Sequence, residues 1–155
     1  MSLTEAQQET LMRHIEASTS AARQMFAVLQ EEFESLHQRE IPTPELLTRK
    51  AENAELLARH QSELEAFRQS LPAAPSLKTW LDNQTPGNAT DLKWRALQST
   101  LEQCDYKNEV NGRLLNKLRV KNQLFQRLLG NQPSDPTYSR KGKLDDSHHG
   151  VLGRA

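Results

Sequence analysis

The sequence predicts an all-α fold: an elongated antiparallel three-helix bundle of coiled-coil character, with a short helical turn in the 72–90 connection and a C-terminal tail. Two features of composition and one of patterning point there. Val and Ile together occur six times while Leu is abundant, and Leu favours helices where β-branched residues favour strands. Aromatic residues make up 5% of the chain, and a mean hydropathy of −0.78 is low for a globule. Long helices account for this, because each buries one stripe and leaves most of its circumference wet. Apolar residues also recur at three-, four- and seven-residue steps through three long segments. At 155 residues, the length fits one core.

The first helix, over about residues 4–38, starts near Ser2 or Thr4. Ser2 with Glu5 and Thr4 with Gln7 each have the spacing of a capping box. Leu11, Ile15, Ala22, Met25, Leu29 and Leu36 form its stripe, widened by Phe26 and Phe33. Ile41-Pro42 then disfavours helical geometry. The second helix, 44–71, has Thr43 as cap, Pro44 at the first position and Glu45 complementing the dipole. Its seam reads Leu47, Ala54, Leu57, Leu64 and Leu71, flanked by Ala51 and Ala58. Pro72 stops it, and the short connection before it makes the first two helices antiparallel neighbours. In the 72–90 connection, Ser76 suits the cap of a single turn through Leu77, Trp80 and Leu81, which would lie over the end of the bundle.

The third helix is expected over residues 91–129, beginning near Thr90-Asp91. Its heptad seam is Trp94, Leu97, Leu101, Cys104, Asn108, Asn111, Leu115, Leu118, Asn122, Phe125 and Leu129. Gly130 and Pro133 mark its end. At 1.5 Å per residue it spans roughly 58 Å against about 41 Å for the second helix, so about eleven residues need another cover. The domain organisation is therefore a helical bundle over 1–130 and a flexible tail over 131–155, polar and without helical periodicity.

The net charge is zero, which argues against a general nucleic-acid binder. The charge is nonetheless uneven. Residues 1–72 carry 12 acidic and 7 basic side chains, residues 73–130 carry 5 and 9, and residues 113–127 carry five bases and no acid. An acidic hairpin packed on a basic third helix accounts for this. Cys104 is the single cysteine, so no intramolecular disulfide forms and a reducing compartment fits. No apolar run approaches the length of a membrane span or a signal peptide. A cytoplasmic protein without membrane insertion is expected, and the sequon at Asn88 reads as accidental.

Catalytic patterns are missing. Glu34 and His37 have a di-iron bundle's Glu-x-x-His spacing, but that site needs a second copy and two further carboxylates. Asp145, Asp146, His148 and His149 could bind a metal ion adventitiously, but a genuine metal site is not expected there. There is no glycine-rich phosphate loop and no nucleophile elbow. Cys104 falls on the seam, as a small core residue would. No enzyme activity, metal or cofactor is expected. Two features remain. Asn108 and Asn111 are polar on the seam, and Gly112 beside them costs about 1 kcal/mol in a helix interior. These residues either set register and let helices approach closely, or they leave room for a partner. Beyond them, Leu114, Val120, Leu124 and Leu128 add an apolar face outside the seam, which marks an interaction or oligomer surface.

Cys104, Asn108, Asn111-Gly112 and Leu114-Leu115, followed by Tyr138 and Gly142, resemble the signature of flagellar export chaperones of the FlgN type. A helical hairpin, a long last helix and a tail resemble that family's architecture too. The resemblance implies a bacterial, cytoplasmic chaperone without cofactor. It would hold the C-terminal segments of hook–filament junction proteins of the FlgK and FlgL type, prevent premature assembly, and deliver them to the export gate component FlhA. On the same resemblance, Asn108, Asn111, Gly112, Leu114, Leu118, Val120, Leu124, Phe125 and Leu128 would meet the client, with Tyr138 and Gly142 meeting the gate. Two other readings stay open on the residues alone. One is a structural coiled coil that homodimerises through the third helix. The other is a nucleic-acid-binding regulator using the basic 113–127 segment, which predicts steeply salt-dependent binding.

Overall fold

The computed structural model of the chain describes residues 3–71, 77–82 and 86–130. They form α1 (Glu5–His37), α2 (Pro44–Gln69), the short α3 (Leu77–Asp82) and α4 (Ala89–Leu128), with no strand among the described residues. The fold is all-α, a bundle of three long helices with one helical turn between the second and third.

Each long helix begins where a side chain replaces the missing partner of a first-turn amide. At α1, Thr4 and Gln7 close a capping box: the Gln7 amide donates to Thr4 Oγ1 at 3.3 Å and the Thr4 amide to Gln7 Oε1 at 2.9 Å. Ser2, the other candidate, lies outside the described residues. At α2, the Leu46 amide donates to Thr43 Oγ1 at 3.2 Å, with Pro44 in the first turn. At α4 the cap is Asn88, two residues before the expected start at Thr90-Asp91. Its Oδ1 accepts from the Asp91 amide at 2.7 Å, while Asp91 Oδ2 accepts from the Gly87 amide at 2.9 Å. The reciprocal pair satisfies two amides, which Thr90 in its first turn does not do.

Where α1 ends, Arg39 takes a left-handed conformation with φ 64°. The Glu40 amide donates to Ser35 O and the Arg39 amide to Leu36 O, at 2.9 and 3.0 Å, which is the hydrogen-bond pattern of a Schellman cap. A side chain at that position costs about 1 kcal/mol that glycine does not incur. Arg39→Gly is therefore expected to raise the unfolding free energy by about 1 kcal/mol, measured as a higher urea midpoint at unchanged slope.

The chain divides into two compact units, Met1–Leu115 and Asn116–Ala155. In the first, α1 and α2 run antiparallel. Glu31 and Glu32 pair with Arg49 and Lys50 at 2.7 and 3.1 Å near one end, and His14 meets the Phe67 ring at 5.8 Å near the other. The α4 residues of this unit run parallel to α1, since Lys93 pairs with Glu16, Cys104 meets Ala22 and Asn111 meets Leu29 in ascending order. The topology is up-down-up.

Helix α1 is the centre of this unit. All six stripe residues expected from its periodicity are buried, together with Ala21 and Val28. The main core joins Leu11, Ile15 and Ala22 of α1 to Leu64 of α2, Leu81 of α3, and Trp94 and Leu97 of α4. Trp94 Nε1 donates to Asp82 Oδ1 at 3.0 Å, tying α3 to α4 while Leu81 plugs the core. That is the covering role expected for this turn, and it is carried by Leu81; the side chains of Leu77 and Trp80, and all of Ser76, lie outside the described residues. A smaller cluster joins Met25, Leu29 and Cys104, with Phe26 against it.

Two seams differ from expectation. On α2 the buried apolar residues are Leu46 and Leu64, whereas Leu47 is 47% exposed, Ala51, Ala54 and Ala58 are exposed, and Leu57 and Leu71 are half-buried. Leu46 and Leu47 point about 100° apart on the helix, and only packing against α1 selects which is covered. On α4 the seam is buried at Trp94, Leu97, Cys104 and Asn111 and half-buried at Leu101, Leu115 and Leu118, while Asn108, Asn122, Phe125 and Leu129 are exposed. No helix among the described residues is long and apolar enough to cross a membrane.

Candidate partner-binding surfaces

The polar break in α4 resolves into three side chains with different surroundings. Asn111 is buried, and its Nδ2 donates to the carbonyl of Leu29 at 2.9 Å. That is a cross-helix bond of the kind that fixes register. Its Oδ1 is buried and without a hydrogen-bond partner. Asn108, one turn earlier, is exposed. Gly112 is exposed too, and a Cβ built on it meets no atom within 4 Å. Close helix approach, one of the two readings of this glycine, is not what the fold uses it for, because among the described residues nothing lies within 4 Å of a Cβ at that position. Gly112→Ala is therefore expected to stabilise the chain by about 1 kcal/mol, through helix propensity alone; thermal unfolding checks it. Leu114 is half-buried in the same unit.

The described part of the second unit carries the other predicted residues. Leu118 is half-buried, while Val120, Leu124, Phe125 and Leu128 are all more than half exposed, as is Leu129. Val120, Leu124 and Leu128 follow at four-residue steps along one stripe; Leu118, Phe125 and Leu129 form an adjacent one. Lys117, Arg119, Lys121 and Arg127 are interleaved with them, without an acid in residues 117–129. The segment is thus an apolar face set among cations. The charged stems add methylene area to it. Tyr138 and Gly142, and the group Asp145, Asp146, His148 and His149, lie outside the described residues.

One surface escaped the sequence reading. In the first unit, a groove with a volume near 460 Å³ opens between α2 and α4, apart from a more polar hollow beside Glu16 and Lys93. Met25 and Leu29 of α1 line its floor with Cys104; Leu47, Ala51, Ala54, Leu57 and Ala58 form the α2 wall; Leu101, Asp105 and Asn108 form the α4 wall. It opens because α2 presents alanines here, whose side chains are too short to reach α4. Ala54 was legible as a member of the expected α2 seam and Ala51 and Ala58 as its flank, but only the helix rotation turned them into a wall. Cys104 sits at the floor, donating to Ala22 O at 3.3 Å. Burial, with Asp105 adding to it, pushes its thiol pKa up, which suits packing rather than nucleophilic chemistry.

Glu34 and His37 stand exposed at the end of α1, where the His37 ring stacks on Phe33 at 5.8 Å, and the Lys107 ammonium lies 4.1 Å from the Phe33 ring centroid. Among the described residues no group of His, Cys, Asp and Glu is placed to hold a metal ion.

The comparisons with known proteins bear on what such surfaces are for. The family model of the FlgN protein matches residues 1–146, a span that takes in all four helices. Neither the comparison with curated proteins nor that with solved structures gives a match. A bundle whose buried polar anchor is Asn111, and whose last helix ends in an uncovered apolar face, thus coincides with a family match over nearly its whole length: the chain belongs to the FlgN family of flagellar export chaperones.

Proposed function

We propose that this chain is a bacterial cytoplasmic chaperone for hook–filament junction proteins of the FlgK and FlgL type. It binds their C-terminal segments, keeps them from assembling early and passes them to the export gate component FlhA. The observation that carries this reading is the exposed stripe of Val120, Leu124 and Leu128, with Phe125 and Leu118 beside it. An amphipathic client segment that covers such a face gains apolar burial of about 25 cal/mol per Å² without ATP. Lys117, Arg119, Lys121 and Arg127 then select client helices with acidic flanks and speed their encounter. Asn108, Gly112 and Leu114 are proposed as additional client contacts in the first unit. Asn111, also among the expected contacts, acts there through the position it gives α4. Tyr138 and Gly142 are assigned to the gate, since a tyrosine offers apolar area with one hydrogen bond.

The test is a pull-down of each junction protein, intact and lacking its C-terminal segment, on the immobilised full-length chain. Retention of the intact proteins and loss of the shortened ones is the expected result. Equal retention of both forms would place recognition elsewhere in the client, and no retention of either would remove the junction proteins as clients.

A further inference from the structure

Two uncovered apolar surfaces occur among the described residues, and their shapes and charges are opposite. The α2–α4 groove is concave, with Leu47, Ala51, Ala54 and Ala58 exposed along one wall and Met25 and Leu29 beneath. Its margin is acidic. Asp105 lines it, Glu102 stands one turn before Asp105 on α4, and Glu55 lies one turn from both Ala51 and Ala58 on α2. None of these three carboxylates forms an ion pair among the described residues, while Lys50, the groove's one cation, has its ammonium on both carboxylate oxygens of Glu32 at 3.1 Å. The end of α4 is convex and basic, with Val120, Leu124, Phe125 and Leu128 exposed among Lys117, Arg119, Lys121 and Arg127. The lengths agree as well. The α2 wall runs from Leu47 to Gln61 and the basic apolar segment covers residues 117–129, each about 20 Å of helix.

We infer that the groove is a self-docking site: it receives the 117–129 segment of α4 from a second copy of this chain. Small side chains along the α2 wall let the incoming helix approach closely. Leu124 and its neighbours reach Met25 and Leu29, and the lysines and arginines meet Glu55, Glu102 and Asp105. Each copy carries one groove and one segment, so a reciprocal pair fills both on each copy, whereas an open head-to-tail array leaves one of each unfilled at its ends. This differs from a coiled coil of two α4 helices side by side, in which α2 would take no part. The docking stands without any client. One consequence rests on the proposed function: the second copy covers the client-binding stripe when no client is present, so client capture and dimerisation compete for Leu124 and Leu128.

The experiment is sedimentation equilibrium of the full-length chain from micromolar to several hundred micromolar, without client. The variants all lie at exposed positions, and circular dichroism confirms their helicity. The wild-type chain is expected to dimerise. Leu124→Asp on the segment and Ala54→Trp in the groove should each weaken the dimer by at least about tenfold, the effect of disturbing one central contact. Mixing the two variants should recover a hetero-dimer joined at one of its two contacts, because Leu124→Asp keeps its groove and Ala54→Trp keeps its segment. The double reversal Lys117→Glu with Lys121→Glu should likewise pair better with Glu55→Lys plus Asp105→Lys than with itself. A chain that stays monomeric throughout overturns the inference. So does a dimer that Leu124→Asp weakens and Ala54→Trp leaves unchanged, since that places α4 against some other surface. Failure of the junction-protein pull-down, by contrast, would leave these results untouched.

Discussion

Replacing Leu124 and Leu128 with Ser is expected to abolish client capture while the helical content and the unfolding midpoint barely move. Both side chains are more than half exposed, at 57% and 77%, so they contribute little to the folded core. Surface substitutions of this kind fall within about 0.5 kcal/mol, and the lower helix propensity of Ser adds only a few tenths. Their loss to a client is different in scale. Two leucines fully buried in a complex are each worth roughly 1.5–3 kcal/mol, so removing both lowers affinity by a factor of a hundred or more. Titration of labelled junction protein, alongside urea unfolding of the same variant, separates the two effects. A parallel loss of stability and capture would show that these residues belong to the core and would sink their assignment to the client.

Leu64→Ala is expected to do the reverse, costing about 3 kcal/mol of stability with a direct effect on α2. Leu64 is 1% exposed and is one of only two apolar α2 residues that are buried, the other being Leu46. It joins α2 to Ile15 and Leu11 of α1, to Leu81 of α3, and to Trp94 and Leu97 of α4 within one cluster. A cavity there opens the cluster in which residues of α1, α3 and α4 also meet. Against a total stability of about 5–15 kcal/mol for a domain of this kind, the loss is large. Because the remaining face of α2 is mostly alanine and charge, hydrogen exchange in residues 44–69 should accelerate more than in α1. Uniform acceleration across α1 and α2 would mean that the bundle opens as one unit and that α2 has no separate weakness.

The contrast between these variants reflects how the apolar residues are distributed. On α1 the stripe was legible in full: Leu11, Ile15, Ala22, Met25, Leu29 and Leu36 are all buried. A central helix is flanked on two sides, so any broad apolar stripe finds cover. The caps at Thr4 and Thr43 were equally legible, because a hydroxyl and the amide three residues on lie within one turn. Asn88 was missed for a related reason. Asn88, Thr90 and Asp91 are all capping residues within four positions, and the choice among them depended on Asp91 turning back to the Gly87 amide.

The short Asn-x-x-Asn-Gly pattern of α4 was legible as a pattern but its roles were not. Asn111 lies against the Leu29 carbonyl, Asn108 looks into the groove and Gly112 faces open space. Each residue of helix turns a side chain by about 100°, so Asn111 and Gly112, adjacent in sequence, meet different surroundings. The groove itself had no local signature at all. It exists because Leu46 rather than Leu47 faces α1 and because Ala51, Ala54 and Ala58 leave a gap toward α4.

What the sequence by itself determined is the helical class, the places where α1 and α2 start, the central stripe, and the basic apolar end of α4. All of these follow from periodicity and capping, which act within about one turn. Only the tertiary structure decided which of two adjacent leucines is buried, which asparagine anchors the bundle, and where an uncovered groove remains. Those outcomes depend on the rotation of one helix against another, set by packing summed over many side chains far apart in the chain.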